Sequence, residues 1–149
     1  MKQVILFTIG YEKKTIEKFF GELTSNKIRA LIDIRANPVS RKPGFSKKKL
    51  QSNCESQGIL YFHFPEAGIP SFYRKELKST GSYDELFDWY SSNLKTIPGA
   101  IQQIIGLVYQ YSRVVLTCFE SDVNLCHRKP CGEFIEKKIN SESFRLIHI

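Results

Sequence analysis

Short runs of consecutive apolar residues constrain the fold of this chain more than any other feature. Within each run apolar side chains stand next to one another instead of alternating with polar ones, which is typical of parallel strands covered on both faces. Between the runs, apolar residues recur at the three- and four-residue spacing of amphipathic helices. The pattern predicts an α/β fold of Rossmann-like, three-layer type, with a mostly parallel sheet of about five strands and helices on both faces. The predicted strands are 4–9, 30–34, 59–64, 113–119 and 144–149.

Residues that commonly begin helices stand in the intervals between these strands. Thr15 and Ser46 are suitable N-caps, and Ser82 opens a capping box with Glu85. Pro98 and Pro130 stand where a first helical turn is expected, the second at the start of a helix over 130–139. A length of 149 residues without a linker or repeat fits a single α/β domain over 1–149.

Polar and reactive side chains follow several of the predicted strands. In a parallel sheet the carboxyl ends of the strands meet at one edge, and ligands bind there. We therefore expect one site at this edge. Its candidates are Tyr11, Asp33, Arg35, Arg41, Cys118, Glu120, Cys126, His127 and Arg128.

The tripeptide Cys126-His127-Arg128 stands directly before the last predicted helix. The positive end of a helix dipole and a neighbouring arginine both favour a thiolate, so Cys126 is a candidate nucleophile or a thiol that lines the pocket. The structural alternative is a small buried thiol, with Arg128 paired to Glu120 or Asp33. An intracellular chain of this size is expected to keep its four cysteines mostly reduced.

A metal site and a cofactor are not expected. Cys118, Cys126, His127 and Cys131 are possible zinc ligands, but their spacing does not match paired ligand hairpins. A glycine-rich dinucleotide loop, a P-loop and a nucleophile elbow are all absent from the sequence.

The segment 33–41 holds an acid and two arginines. Asp33, at a strand end, is a candidate general base or acceptor for a ribose hydroxyl, and Glu120 is a second candidate acid or base. Arg35 and Arg41 could form a fork for a phosphate or carboxylate, together with Arg128. The alternative is that Asp33 pairs internally with Arg35 or Arg128 and orders the loop.

The chain is basic, with a net charge of +7, and five of its positive charges lie within residues 41–49. An excess of this kind favours an anionic partner. Phe45 lies among these charges, where it could stack on a base. The alternative is a solvated helix face. The candidate nucleic-acid contacts are Lys42, Phe45, Lys47, Lys48 and Lys49.

Several of these motifs together resemble the domain of unknown function 488 family of bacterial and archaeal proteins. The resemblance covers nearly the whole chain and implies an α/β domain whose strand-end residues form one site, without an established reaction. The family often has histidine where Tyr11 stands in this chain. The matching segments are 8–12, 33–35 with Pro38, Ser40 and Arg41, Phe45, 58–59 with Tyr61, 68–70, 118–120 and 126–128.

The preferred interpretation is an enzyme acting on a phosphate-bearing substrate, a nucleotide or nucleic acid, with Tyr11 and His127 among the substrate contacts. Two alternatives remain open: a non-catalytic nucleic-acid-binding module built on segment 41–49, and a thiol-dependent sulfur or redox enzyme. The apolar start of the chain is too short for a signal peptide or a membrane span, so a cytoplasmic protein without a membrane partner is expected. The oligomeric state does not follow from the sequence.

Overall fold

The computed structural model describes residues 2–73 and 82–149, which contain five strands and five α-helices of ten residues or more. In chain order these elements are β1 (Val4–Gly10), α1 (Ile16–Ser25), β2 (Ala30–Asp33), α2 (Lys47–Ser56), β3 (Leu60–His63), α3 (Tyr83–Leu94), α4 (Pro98–Tyr111), β4 (Arg113–Cys118), α5 (Arg128–Ile139) and β5 (Phe144–His148). Two short 3-10 helices, Pro65–Ala67 and Val123–Leu125, lie in the loops after β3 and β4.

The strands form one sheet in the order β3-β2-β4-β1-β5, and every neighbouring pair is parallel. The register aligns Gly10 of β1 with Cys118 of β4, and Asp33 of β2 with Thr117 of β4. Three strands therefore end side by side at the carboxyl edge. The predicted α/β class and parallel five-stranded sheet are confirmed.

The two faces of the sheet bury separate apolar clusters. Ile5, Phe7 and Leu31 pack with α1 and α2 on one face. Leu6, Ile32 and further residues pack with α3, α4 and α5 on the other face. This arrangement follows from the consecutive apolar residues of the strands, because successive side chains of a strand point to opposite faces.

The helix connections place a crevice at the end of β4. The chain crosses one face after β1 and β2, and the other face after β3 and β4. In the sheet, β4 lies between β1 and β2. The loop after β4 leads to one face of the sheet, whereas the loops after β1 and β2 lead to the other face. This change of direction is the topological switch point at which open α/β sheets bind ligands.

The helix starts agree with the sequence at some positions and differ at others. The side chains of Thr15 and Ser82 accept hydrogen bonds from the helical N–H groups of Lys18 and Glu85. Helix α5 begins at Arg128, not at Pro130, so the proline lies inside the first turn, where its missing N–H costs no helical hydrogen bond.

Among the described residues, no helix combines the length and the apolar character needed to cross a membrane.

Candidate functional site

The residues that follow β1, β2 and β4 lie together at the carboxyl edge. The backbone N–H of Tyr11 donates to the carbonyl of Cys118 at 3.2 Å, and that of Ile34 donates to the carbonyl of Thr117 at 3.2 Å. The parallel pairing therefore continues one residue beyond the strands. It brings the start of segment 33–41 close to the loop after β4.

Asp33 and Arg35 form a buried ion pair at this edge. Arg35 Nε and Nη2 donate to the two carboxylate oxygens of Asp33 at 2.8 and 2.7 Å, and the Tyr61 hydroxyl donates to Oδ2 at 2.6 Å. Arg35 Nη1 donates to the Phe45 carbonyl at 2.7 Å and to the Tyr11 hydroxyl at 3.2 Å. The internal pairing considered for Asp33 is thus the one with Arg35.

The charge of Arg35 is fixed by this arrangement. Burial by itself lowers the pKa of Arg35, but the hydrogen bonds and the negative charge of Asp33 outweigh burial and raise that pKa above its usual value. Burial, followed by the charge of Asp33, raises the pKa of Tyr61, which therefore remains a hydrogen-bond donor. The guanidinium is consequently a permanent positive charge held in one orientation.

A cavity of about 330 Å³ opens beside this pair. Arg35 lies in its wall and is 6 % exposed, while Arg41 is exposed on the loop that follows. Three further polar side chains share the lining, together with five less polar residues. The lining consists of Tyr11, Arg35, Ala36, Asn37, Val39, Ser40, Arg41, Ile69, Ser71 and Phe119.

Close contact between two loops shapes one wall of the cavity. A Cβ atom placed on Gly68 would lie 2.2 Å from the backbone nitrogen of Ala36. Only glycine allows the backbones to approach so closely. This contact places Ile69 and Ser71 opposite segment 35–41. The sequence of residues 65–75 allows either a lid over the site or a plain surface loop, and residues 74 and 75 lie outside the described part of the chain.

Cys118 and Cys126 are joined by a disulfide, whereas Cys54 and Cys131 are free and buried. This corrects the expectation of mostly reduced cysteines for two of the four. The physical reason is the loop after β4, which returns Cys126 to the strand end that carries Cys118. Burial raises the pKa of Cys54 to about 12 and that of Cys131 to about 11, so both remain protonated at neutral pH.

Residues 15–135 match the family model described as "Domain of unknown function DUF488". The chain belongs to the DUF488 family. The match includes segment 33–41 and the Cys126-His127-Arg128 tripeptide, and it confirms the resemblance seen in the sequence. No curated protein and no solved structure gives a significant match.

The Cys-His-Arg tripeptide of this DUF488 protein is enclosed behind the cavity. His127 and Arg128 are each 1 % exposed. Arg128 Nη1 donates to the Thr8 hydroxyl at 2.7 Å and Nη2 to the Ser121 carbonyl at 3.0 Å. Burial lowers the pKa of Arg128 to about 10 against the opposing charges of Glu120 and Asp122, so the guanidinium stays protonated at neutral pH. Neither His127 nor Arg128 lines the cavity.

The basic segment 41–49 of the DUF488 protein contains both buried and exposed side chains. Phe45 is fully buried, and its ring stacks on Tyr11 with centroids 4.4 Å apart. This placement corrects the expectation that Phe45 stacks on a nucleic-acid base, because no face of its ring reaches the surface. Lys42 lies over the same ring at 6.0 Å, and three exposed lysines occupy the first turn of α2 (Lys47, Lys48 and Lys49).

Several residues of the site were not singled out as functional from the sequence. Asn37, Ser40 and Ser71 line the cavity. Tyr61 reaches Asp33 from the neighbouring strand β3. Serine and asparagine in loops are common for turn formation alone, so their residue type carried no signal. The contact of Tyr61 with Asp33 could not be predicted, because it depends on the parallel register of β2 and β3.

Proposed function

We propose that this DUF488 protein binds a phosphate-bearing anion of nucleotide size in the cavity at the carboxyl edge of the sheet and acts on it as an enzyme. One observation carries the proposal: two arginines, one rigidly oriented and one exposed, line the same cavity at the switch point. The cavity has a volume of about 330 Å³, which lies at the lower end of the range for small-molecule sites, about 300–1,000 Å³.

The two arginines have different tasks in this proposal. Arg41 is exposed and supplies the direct charge-assisted hydrogen bonds to phosphate. Arg35 contributes to the wall as the guanidinium of an ion pair that is neutral overall, and Asp33 is the positioning residue that orients it. Ser40 and Ser71 add hydroxyl donors for the remaining phosphate oxygens.

The three predicted catalytic residues differ in the bonds and contacts that their side chains make. Asp33 is occupied by Arg35 and Tyr61, so general base catalysis by it would require the ion pair to open. Cys126 has no thiol while it is bonded to Cys118, so nucleophilic attack by it would require prior reduction. Glu120 is half-buried, and its carboxylate lies close to the sulfur atoms of Cys118 and Cys126.

Calorimetric titration with AMP and with pyrophosphate tests the binding step. Loss of a charge-assisted hydrogen bond costs about 1.5–3 kcal/mol, so Arg41→Ala should weaken binding roughly 10- to 150-fold. Arg29→Ala is the matched control, because Arg29 is exposed and precedes β2 at the opposite edge of the sheet. Equal weakening of ligand binding by both variants, or no binding of AMP or pyrophosphate to the unmodified protein, would refute the proposal.

The enzymatic part has its own test. The protein, both oxidised and reduced, is incubated with a panel of nucleotides and phosphomonoesters, and the products are followed by phosphorus NMR. We expect turnover of at least one compound that binds, and a lower rate in the Arg41→Ala variant. Binding that depends on Arg41 without any turnover would refute the enzymatic part and retain the binding site.

Nucleic-acid binding is a second candidate, supported by the exposed lysines of α2. Lys47, Lys48 and Lys49 occupy a first helical turn that contains no acidic residue. Cations are unfavourable at that end of a helix dipole, so helix stability does not explain their placement. The turn follows directly on the loop with Arg41, which would extend the positive surface beyond the cavity.

Salt titration of single-stranded DNA and RNA binding tests this candidate. Each phosphate contact contributes about 0.7 to the slope of log K against log salt for single strands. The Lys48→Gln/Lys49→Gln double variant should therefore reduce the slope by about 1.4. The matched control is Lys137→Gln/Lys138→Gln, which removes two exposed lysines from the far end of α5. The same reduction in both variants would indicate only a general charge effect and would contradict a lysine surface on α2.

A further inference from the structure

Four side chains with metal-binding atoms converge behind the cavity. Cys118, Glu120, Cys126 and His127 each offer one such atom, and these atoms all lie within 4.8 Å of one another. Cys118 ends β4, Glu120 follows it, and Cys126 and His127 precede α5. The cluster therefore closes the loop between a strand end and a helix start.

The imidazole of His127 is oriented as metal-binding histidines usually are. Its Nε2 lies 2.7 Å from the carbonyl oxygen of Ile34, a group that can only accept a hydrogen bond. The proton is therefore on Nε2, and the lone pair of the neutral ring is on Nδ1. A histidine ligand that donates its other N–H to a backbone carbonyl is the common arrangement around metal ions.

The spacing of the two cysteines also suits a shared ion. Their Cα atoms are 7.3 Å apart, whereas most disulfides have a separation of about 4.4–6.8 Å. Two thiolates that bind the same ion do not need direct contact between their sulfur atoms. Both side chains are nearly inaccessible to solvent, so the sulfurs would hold an ion in a protected place.

We propose that the reduced chain binds one Zn²⁺ ion through Cys118, Cys126, His127 and Glu120. Two sulfurs, one nitrogen and one carboxylate oxygen form a four-ligand set that zinc accepts in tetrahedral geometry. The set differs from the four residues considered from the sequence, because Glu120 takes the place of Cys131. It also gives Glu120 a role as ligand in place of the acid or base role.

The disulfide and the zinc site are alternative states of the same two cysteines. A dithiol reductant breaks the S–S bond by supplying two electrons and two protons, and is itself converted to a disulfide. Binding of Zn²⁺ then displaces the protons of the two thiols, because the thiolate is the ligand form. This zinc site is independent of the anion site, since none of its four ligands lines the cavity.

Cobalt substitution is the direct test. The full chain is reduced with a dithiol, freed of reductant without air and titrated with Co²⁺, which gives thiolate-to-metal absorption and visible bands of tetrahedral sites. We expect one equivalent to bind with both features and one equivalent of Zn²⁺ to abolish them. A reduced, folded protein without thiolate absorption, or one that binds no cobalt, would overturn the proposal.

Variants identify the ligands. Cys126→Ser should remove at least half of the thiolate absorption and weaken binding by more than tenfold, while Cys131→Ala should keep the full spectrum. Glu120→Gln, at a half-buried position, should keep the thiolate absorption and weaken binding without unfolding the chain. Circular dichroism verifies folding of each variant. An unchanged spectrum in Cys126→Ser, or an unchanged cobalt affinity in Glu120→Gln, would contradict the assignment.

Discussion

Replacing Asp33 with asparagine removes the negative charge that faces Arg35 and keeps the shape of the side chain. Both side chains are enclosed, with 7 % of Arg35 and none of Asp33 exposed. Removing one partner of a buried ion pair leaves an uncompensated charge and costs about 3–5 kcal/mol. At roughly 2–4 °C per kcal/mol for a chain of this size, the melting temperature should fall by about 6–20 °C. Urea denaturation measures the change in the free energy of unfolding.

Tyr61→Phe is the matched control, because it removes one hydrogen bond to Asp33 and leaves the ion pair intact. Loss of a hydrogen bond to a charged group costs about 1.5–3 kcal/mol. Asp33→Asn should therefore be the more destabilising variant. An Asp33→Asn protein as stable as the unmodified chain, or more stable than Tyr61→Phe, would refute the ion pair as the element that orients Arg35.

Three further outcomes are expected. Gly10→Ala should lower the free energy of unfolding in urea by about 1–3 kcal/mol or more, because a Cβ would lie 1.7 Å from the Glu120 carbonyl oxygen. The control Gly21→Ala, at an open helical position, should raise it by about 0.5–1 kcal/mol. Burial, followed by the charge of Arg128, lowers the pKa of His148. Its contribution to stability is therefore complete above about pH 6.5, the usual pKa of histidine, and is lost as the pH falls towards the lower pKa of the folded state. His148→Gln should remove this part of a pH–stability curve. The denatured, unreduced chain, which has four cysteines, should show two reactive thiols to a disulfide reagent, and four reactive thiols would contradict the disulfide.

The fold class was predictable because the strands contain consecutive apolar residues and alternate with helical patterns. The strand order was not predictable in the same way. β2 and β4 are both buried on two faces, and nothing in their composition says which one lies beside β1. That choice depends on how the helices pack across the sheet, which is a property of the whole chain.

The placement of several candidate residues at one edge was predictable, whereas the partners of their side chains were less so. Strand ends indicated correctly that Tyr11, Asp33 and Arg35 lie at one edge. The role of Phe45 was misjudged because its charged neighbours suggested a surface position, while its ring packs between Tyr11 and Phe19. Local charge describes the neighbouring side chains and does not determine the direction in which an aromatic ring points.

A phosphate-bearing ligand is proposed to occupy the cavity at the carboxyl edge of the sheet. The crystal structure of the protein grown with AMP tests it most directly. We predict the phosphate within hydrogen-bond distance of Arg41 and the remainder of the ligand between Tyr11 and Ser71, residues of the cavity wall. A phosphate bound only at the exposed lysines of α2, with the cavity empty, would contradict the account.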